Sequence, residues 1–194
     1  MKKLEIIYRE ILHAFFSEKR QEFTQQELAE VLGLSVSTVF NALEAPRQNG
    51  AIKVTGRNFR LTDAEKLLTY WATRRRQGRD ILYETRAEGT AREREGLMPA
   101  DVIFGAFSAY RMTYQETPAD YDVVLVYAAS ALAVKARYPE KRGPSNVIVL
   151  KSDPRLAHFG LLTPPEQTYV DLWNLPQWYA QDFRKALHER LFPS

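Results

Sequence analysis

Residues 24–43 decide the architecture: Thr24-Gln25-Gln26-Glu27-Leu28-Ala29-Glu30-Val31-Leu32-Gly33-Leu34-Ser35-Val36-Ser37-Thr38-Val39-Phe40-Asn41-Ala42-Leu43. Thr24 followed by Glu27 is a capping box, in which the Thr oxygen accepts from the third helical backbone N–H and the carboxylate reaches back. It opens a helix with Leu28, Ala29 and Leu32 inward, stopped by Gly33. Ser35 caps the next helix, whose apolar face reads Val36, Val39, Phe40 and Leu43. Pro46 has no N–H to donate to the preceding turn, so this second helix is expected to kink or end near Ala45.

Working outward, Leu4, Ile7, Tyr8, Ile11, Leu12 and Phe15 recur at spacings of three and four, one buried face of a preceding helix. On the other side, Asn49-Gly50 closes the second helix. Ala51 to Val54, a Thr55-Gly56-Arg57-Asn58 turn and Phe59 to Leu61 read as a short hairpin. Thr62-Asp63 caps another helix carrying Leu67, Leu68 and Trp71. It runs into Thr73-Arg74-Arg75-Arg76-Gln77-Gly78-Arg79, an Arg/Gly stretch that marks a domain boundary. Arg74, Arg75 and Arg76 are either a phosphate clamp or a solvated linker.

Helix, capped helix, Gly turn, Ser-capped helix and hairpin, in that order, resemble the winged helix-turn-helix of many prokaryotic transcriptional regulators. The resemblance covers about 75 residues and implies that the second helix of the motif lies in the major groove of double-stranded DNA. Carried over by position, it assigns Ser35, Ser37, Thr38 and Asn41 to base edges, because Asn pairs with adenine and Ser or Thr with either kind of edge. It assigns Arg47, Lys53, Arg57 and Arg60 to phosphates, with Arg57 or Asn58 at the wing tip entering the minor groove. Two departures stand out. No Lys or Arg lies between Gln21 and Pro46, so the reading helix lacks the Arg that most often recognises guanine, and Pro46 stands where the family usually continues with Leu.

Charge follows the same division. The 194 residues carry 27 Lys+Arg and 24 Asp+Glu, a net +3. Residues 47–79 hold 9 basic against 2 acidic side chains, a net +7, whereas the segments on either side are each at −2. The competing reading, a winged helix that serves as a dimerisation or docking module, draws on the −2 of residues 1–46. Hydrophobic residues at 45% and aromatics at 12% supply a real core. Cysteine is absent, which removes disulfides, Cys-based zinc sites and a Cys nucleophile, and His13, His158 and His188 have no paired spacing. Charges recur too often near Met1 for a signal peptide, and no window approaches the roughly 18 apolar residues of a membrane helix. The expectation is a cytoplasmic protein without a membrane span.

Beyond the linker the pattern predicts a mixed α/β domain. Strands are expected at Ile81-Leu82-Tyr83, Asp101 to Phe104, Tyr121 to Ala128, Asn146 to Leu150 and Thr168 to Leu172, with a last helix over Gln177–Leu191. Phe104-Gly105-Ala106, thirteen residues and then Asp120-Tyr121-Asp122-Val123 resemble the nucleotidyltransferase signature. That resemblance implies Asp120 and Asp122 on one strand face holding Mg²⁺, and Asp171 completing a catalytic two-metal site. Ala106 replaces a second Gly or Ser there, and Arg111 is a candidate phosphate partner. The alternative is a turn at Pro118-Ala119-Asp120, with Asp171 starting or capping an element.

The same region, with Phe104 to Ala109, the strand to Tyr127, Thr168 to Trp173, and Trp178-Tyr179-Ala180 with Phe183, resembles AbiEi-type antitoxins of type IV toxin–antitoxin systems. That resemblance implies a DNA-binding autorepressor, homodimeric on its operator and paired with a cognate nucleotidyltransferase-like toxin. Trp173, Trp178, Tyr179 and Phe183 are otherwise core packing of the last helix. The expected organisation is thus α+β or α/β: a winged helix-turn-helix over 1–78 and a nucleotidyltransferase-like α/β domain over 79–194. No cofactor is expected, Mg²⁺ entering only with the enzymatic alternative.

Overall fold

Tyr8 shows how the first unit is built around the helix interrupted by Pro46. In a computed structural model, which describes residues 1–56 and 58–193, α3 (Val36–Gln48) runs through Pro46 rather than ending at Ala45. The carbonyl of Ala42 loses its helical donor at Pro46 and accepts instead from the Tyr8 hydroxyl at 2.6 Å. Burial, then the neighbouring Tyr70, push the Tyr8 phenol above its ordinary pKa, so it stays a neutral donor. Downstream, Ala51 N–H donates to the Pro46 carbonyl at 2.9 Å.

Tyr8 belongs to α1 (Lys3–Glu18), whose Ile7, Ile11 and Leu12 are fully buried. Next come β1 (Glu22–Thr24), α2 (Gln25–Leu32), α3, β2 (Ile52–Thr55), β3 (Asn58–Leu61) and α4 (Ala64–Arg74). The hairpin β2–β3 gains β1 as a third antiparallel strand, in the order β1-β3-β2, with Phe23 stacked on Phe59 at 5.6 Å. Asp63 caps α4 by accepting from Lys66 N–H at 2.8 Å.

The chain divides into two compact units, Met1–Arg75 and Arg76–Ser194. Arg75 is neither a phosphate clamp nor a solvated linker residue. It is 4% exposed and pairs with the buried Glu5 at 3.2 Å, while Glu5 also accepts from the Trp71 indole at 3.4 Å. Such a buried pair adds little net stability over apolar packing, but removing one partner strands the other charge away from water.

The second unit has a four-stranded sheet in the order β4-β7-β6-β5. Its strands are β4 (Ile81–Thr85), β5 (Ile103–Phe104), β6 (Val124–Ala128) and β7 (Val147–Lys151). β6 and β7 run parallel and are joined through α7 (Leu132–Arg137), as a parallel pair requires; β4 and β5 are antiparallel to their neighbours. One face packs Val124, Val126 and Val149 with Val134 and Met98. The remaining helices are α5 (Ala91–Gly96), α6 (Ala106–Tyr114), α8 (Pro165–Trp173) and α9 (Ala180–Leu191).

Two expected strands change here. Thr168–Leu172 lies within α8, not in a strand: Pro165 at its first turn suits a helix start, and seven successive residues from Glu166 to Leu172 are buried, which removes the alternation a half-exposed strand would show. The strand expected from Tyr121 begins at Val124, leaving Asp120 and Asp122 in an irregular segment. Among the described residues no single helix is long and apolar enough to cross a membrane.

Candidate nucleic-acid interface

Gly33 sets the geometry of the motif. Its φ of 63° is left-handed, a conformation that costs glycine little, and it turns the chain so that α2 and α3 meet at 120°. Thr24 caps α2 by accepting from Glu27 N–H at 3.0 Å, while the Glu27 carboxylate pairs with Arg20 at 2.5 Å. Ser35 caps α3 by accepting from Thr38 N–H at 3.2 Å, and its oxygen lies 3.0 Å from the Ser37 hydroxyl and 2.8 Å from that of Thr38. The first turn of α3 therefore presents three linked hydroxyls.

The buried stripe of α3 is Val39, Ala42, Leu43 and Pro46. Val36 and Phe40, expected in that stripe, are instead each 47% exposed. The outward face thus carries Val36, Ser37, Phe40, Asn41, Glu44 and Arg47, with Thr38 half-buried beside it. Arg47 lies over the Phe40 ring at 5.9 Å, and with Glu44 and Gln48 the two line a hollow of about 470 Å³.

On the sheet, Lys53 stands directly opposite Arg60 in the register, and both are exposed. Like charges facing each other across two strands repel. Arg60 is also fixed by Gln21, donating from Nε at 3.1 Å and from Nη2 at 2.6 Å to Oε1, and Glu22 faces it across β1. Asn58 is exposed beside the hairpin tip, where Gly56 takes a φ of 65°. Arg57 lies outside the described residues.

In the second unit the three aspartates separate. Asp120 is exposed. Asp122 is held by Arg94, by Arg86 at 2.9 Å and by Asn146 at 3.2 Å, and its backbone N–H donates to Tyr179 at 3.2 Å. Burial acts to raise the Asp122 pKa, but the Arg94 and Asn146 hydrogen bonds and the charges of Arg94 and Arg86 outweigh it and hold the carboxyl below the usual range. Asp171 is fully buried on α8 and accepts from Tyr127 at 2.6 Å, Gln167 at 3.2 Å and Gln77 at 3.3 Å. Among the described residues no three His, Cys, Asp or Glu side chains form a group that could hold a metal ion. Asp120 and Asp122 do not share a strand face, because the strand starts two residues after Asp122, while Asp122 and Asp171 are engaged in the unit's own hydrogen bonds.

Arg111, the candidate phosphate partner, pairs with Glu95 at 2.6 Å and donates to Tyr121 at 3.0 Å. Gly105 is needed for packing: a Cβ there would meet Leu125 at 2.7 Å and Asp171 Oδ2 at 2.9 Å. Ala106 follows with a φ of 47°. Of the C-terminal aromatics, Phe183 and Tyr179 join Phe107 and Tyr121 in a packed cluster, as a core role predicts, whereas Trp178 is 78% exposed.

Residues 11–70 match the family model of the Crp-like helix-turn-helix domain. The match begins within α1, spans the helix-turn-helix and the hairpin, and ends within α4, all inside the first unit. This helix-turn-helix domain supports a DNA-binding regulator. No curated protein and no solved structure matches the chain. Sequence reasoning missed β1, the outward placement of Val36 and Phe40, and the buried Arg94 that organises Asp122. The third had no periodic signal, because it depends on a bond between residues 28 positions apart.

Proposed function

We propose that the chain is an operator-binding transcription regulator that docks α3 in the major groove of double-stranded DNA. Ser37, Thr38 and Asn41 meet base edges, and Ser35 presents the N-terminus of α3 while capping it. Arg47, Lys53 and Arg60 meet phosphates, and Asn58, beside the hairpin tip, approaches the minor groove, a contact the sequence assigns to Arg57 as well. The observation that carries the reading is the exposed Lys53–Arg60 pair, two cations opposed across a hairpin next to a helix-turn-helix. Their repulsion is relieved when an anionic backbone lies across them.

The order of parts, a helix-turn-helix before a mixed α/β unit, supports a finer reading as an AbiEi-like autorepressing antitoxin, homodimeric on its operator and partnered by a cognate toxin. A gel shift with the chain's own promoter fragment tests DNA binding, and Asn41→Ala is expected to relax preference at one base pair where Lys53→Ala weakens all sequences alike. No shift, or equal effects of both variants on every sequence, contradicts these assignments. Co-expression with the product of an adjacent nucleotidyltransferase-like gene tests the antitoxin role: relief of growth arrest is expected, and unrelieved arrest overturns it.

A further inference from the structure

Val36 and Phe40 are four residues apart, hence on one ridge of α3, and both are 47% exposed although Val39 and Leu43 on the same helix are at 0% and 1%. Both share the outward face of α3 with Ser37 and Asn41. The charges around them say what kind of surface that is. Glu44 continues the same ridge and repels phosphate, while the exposed cations follow it, Arg47 in the last turn of α3 and Lys53 and Arg60 on the hairpin. Apolar groups and a carboxylate flanked by cations complement a duplex groove, whose floor is base edges and whose walls are phosphates. On the floor of the major groove the apolar group is the C5-methyl of thymine, and the donor suited to a carboxylate is the N4 amino group of cytosine.

We infer that Val36 and Phe40 read thymine methyl groups, so that the part of α3 before Arg47, which carries no Lys or Arg, reads bases by apolar contact. This rests on the DNA-binding reading above and adds the base it selects. Arg47, lying over the Phe40 ring at 5.9 Å, orients that ring from the phosphate side.

The probe is a duplex selected by the full-length chain from a random-sequence library, resynthesised with each thymine replaced in turn by deoxyuridine, which lacks only the methyl. Fluorescence anisotropy is expected to show an affinity loss of about three- to fivefold at one or two thymines of each half-site, the worth of burying one methyl. Phe40→Ala is expected to bind the thymine and uracil duplexes equally at one of those positions, and Val36→Ala at the other. The uracil series on the wild-type chain needs no variant, so a folding defect does not hide the answer. A selected set without a recurrent thymine, indifference to every uracil, or a penalty that survives in both variants overturns methyl readout while leaving DNA binding intact. A library that yields no duplex overturns the DNA-binding reading and this inference with it. A fall in solution mass in Phe40→Ala identifies the face as a contact between copies and also overturns it.

Discussion

Tyr8 and Pro46 make a pair that can be tested at the level of single groups. Removing the hydroxyl in Tyr8→Phe strips the Ala42 carbonyl of its side-chain donor, and a buried unsatisfied acceptor costs about 1–3 kcal/mol. In a Pro46→Ala background the new N–H at position 46 supplies that carbonyl, so the same Tyr8→Phe change is expected to cost clearly less. Urea unfolding of the four proteins of the cycle measures the coupling; equal costs in both backgrounds contradict the compensation. Asp122 gives a pH prediction. Its folded pKa is depressed, so its stabilisation is present above the unfolded value of about 3.9 and is lost as pH falls below it through the folded value. Asp122→Asn is expected to be less stable at neutral pH and to show a shallower loss as pH falls below about 4, read from thermal midpoints against pH. At Gly105, substitution by Ala drives a Cβ into Leu125 and Asp171 and is expected to cost roughly 1–3 kcal/mol in a thermal melt, with little effect on DNA affinity.

At the scale of elements, the helix-turn-helix was legible because each signal is local: Thr24, Gly33, Ser35 and Asp63 act on backbone groups within four residues. The face of α3 was not fully legible, because two stripes satisfy the same spacing. Val36, Val39, Phe40 and Leu43 compete with Val39, Ala42, Leu43 and Pro46. The second wins since small Ala42 and Pro46 let α1 approach closely enough for Tyr8 to bond the Ala42 carbonyl. In α8 the flanking of Asp171 by Val170 and Leu172 imitates strand alternation, and burial of the helix on nearly every side follows from tertiary packing that no window of residues contains. β1 is three residues long and exists through its pairing with β3. For the hairpin, Lys53→Ala and Arg60→Ala should each reduce DNA affinity without regard to sequence, and the double change should cost less than the sum, because either single change already removes the repulsion that binding relieves.

For the whole molecule, the excess of positive charge over residues 47–79 resolves into distinct roles. Arg75 is consumed in the buried pair with Glu5, while Arg47, Lys53 and Arg60 remain exposed on the helix-turn-helix domain. The second unit likewise engages Asp122, Asp171 and Arg111 in its own ion pairs and hydrogen bonds, with Asp122 in an irregular segment and Asp171 on a helix. The central claim is therefore electrostatic docking of the first unit on DNA, and the salt dependence of that docking is its most direct measure. For the proposed homodimer, three phosphate contacts per copy predict that log affinity of the full-length chain for its promoter fragment falls with log salt at a slope of about −5.4, and that Lys53→Ala brings the slope to about −3.6. Affinity independent of salt, or a slope unchanged by Lys53→Ala, would contradict it.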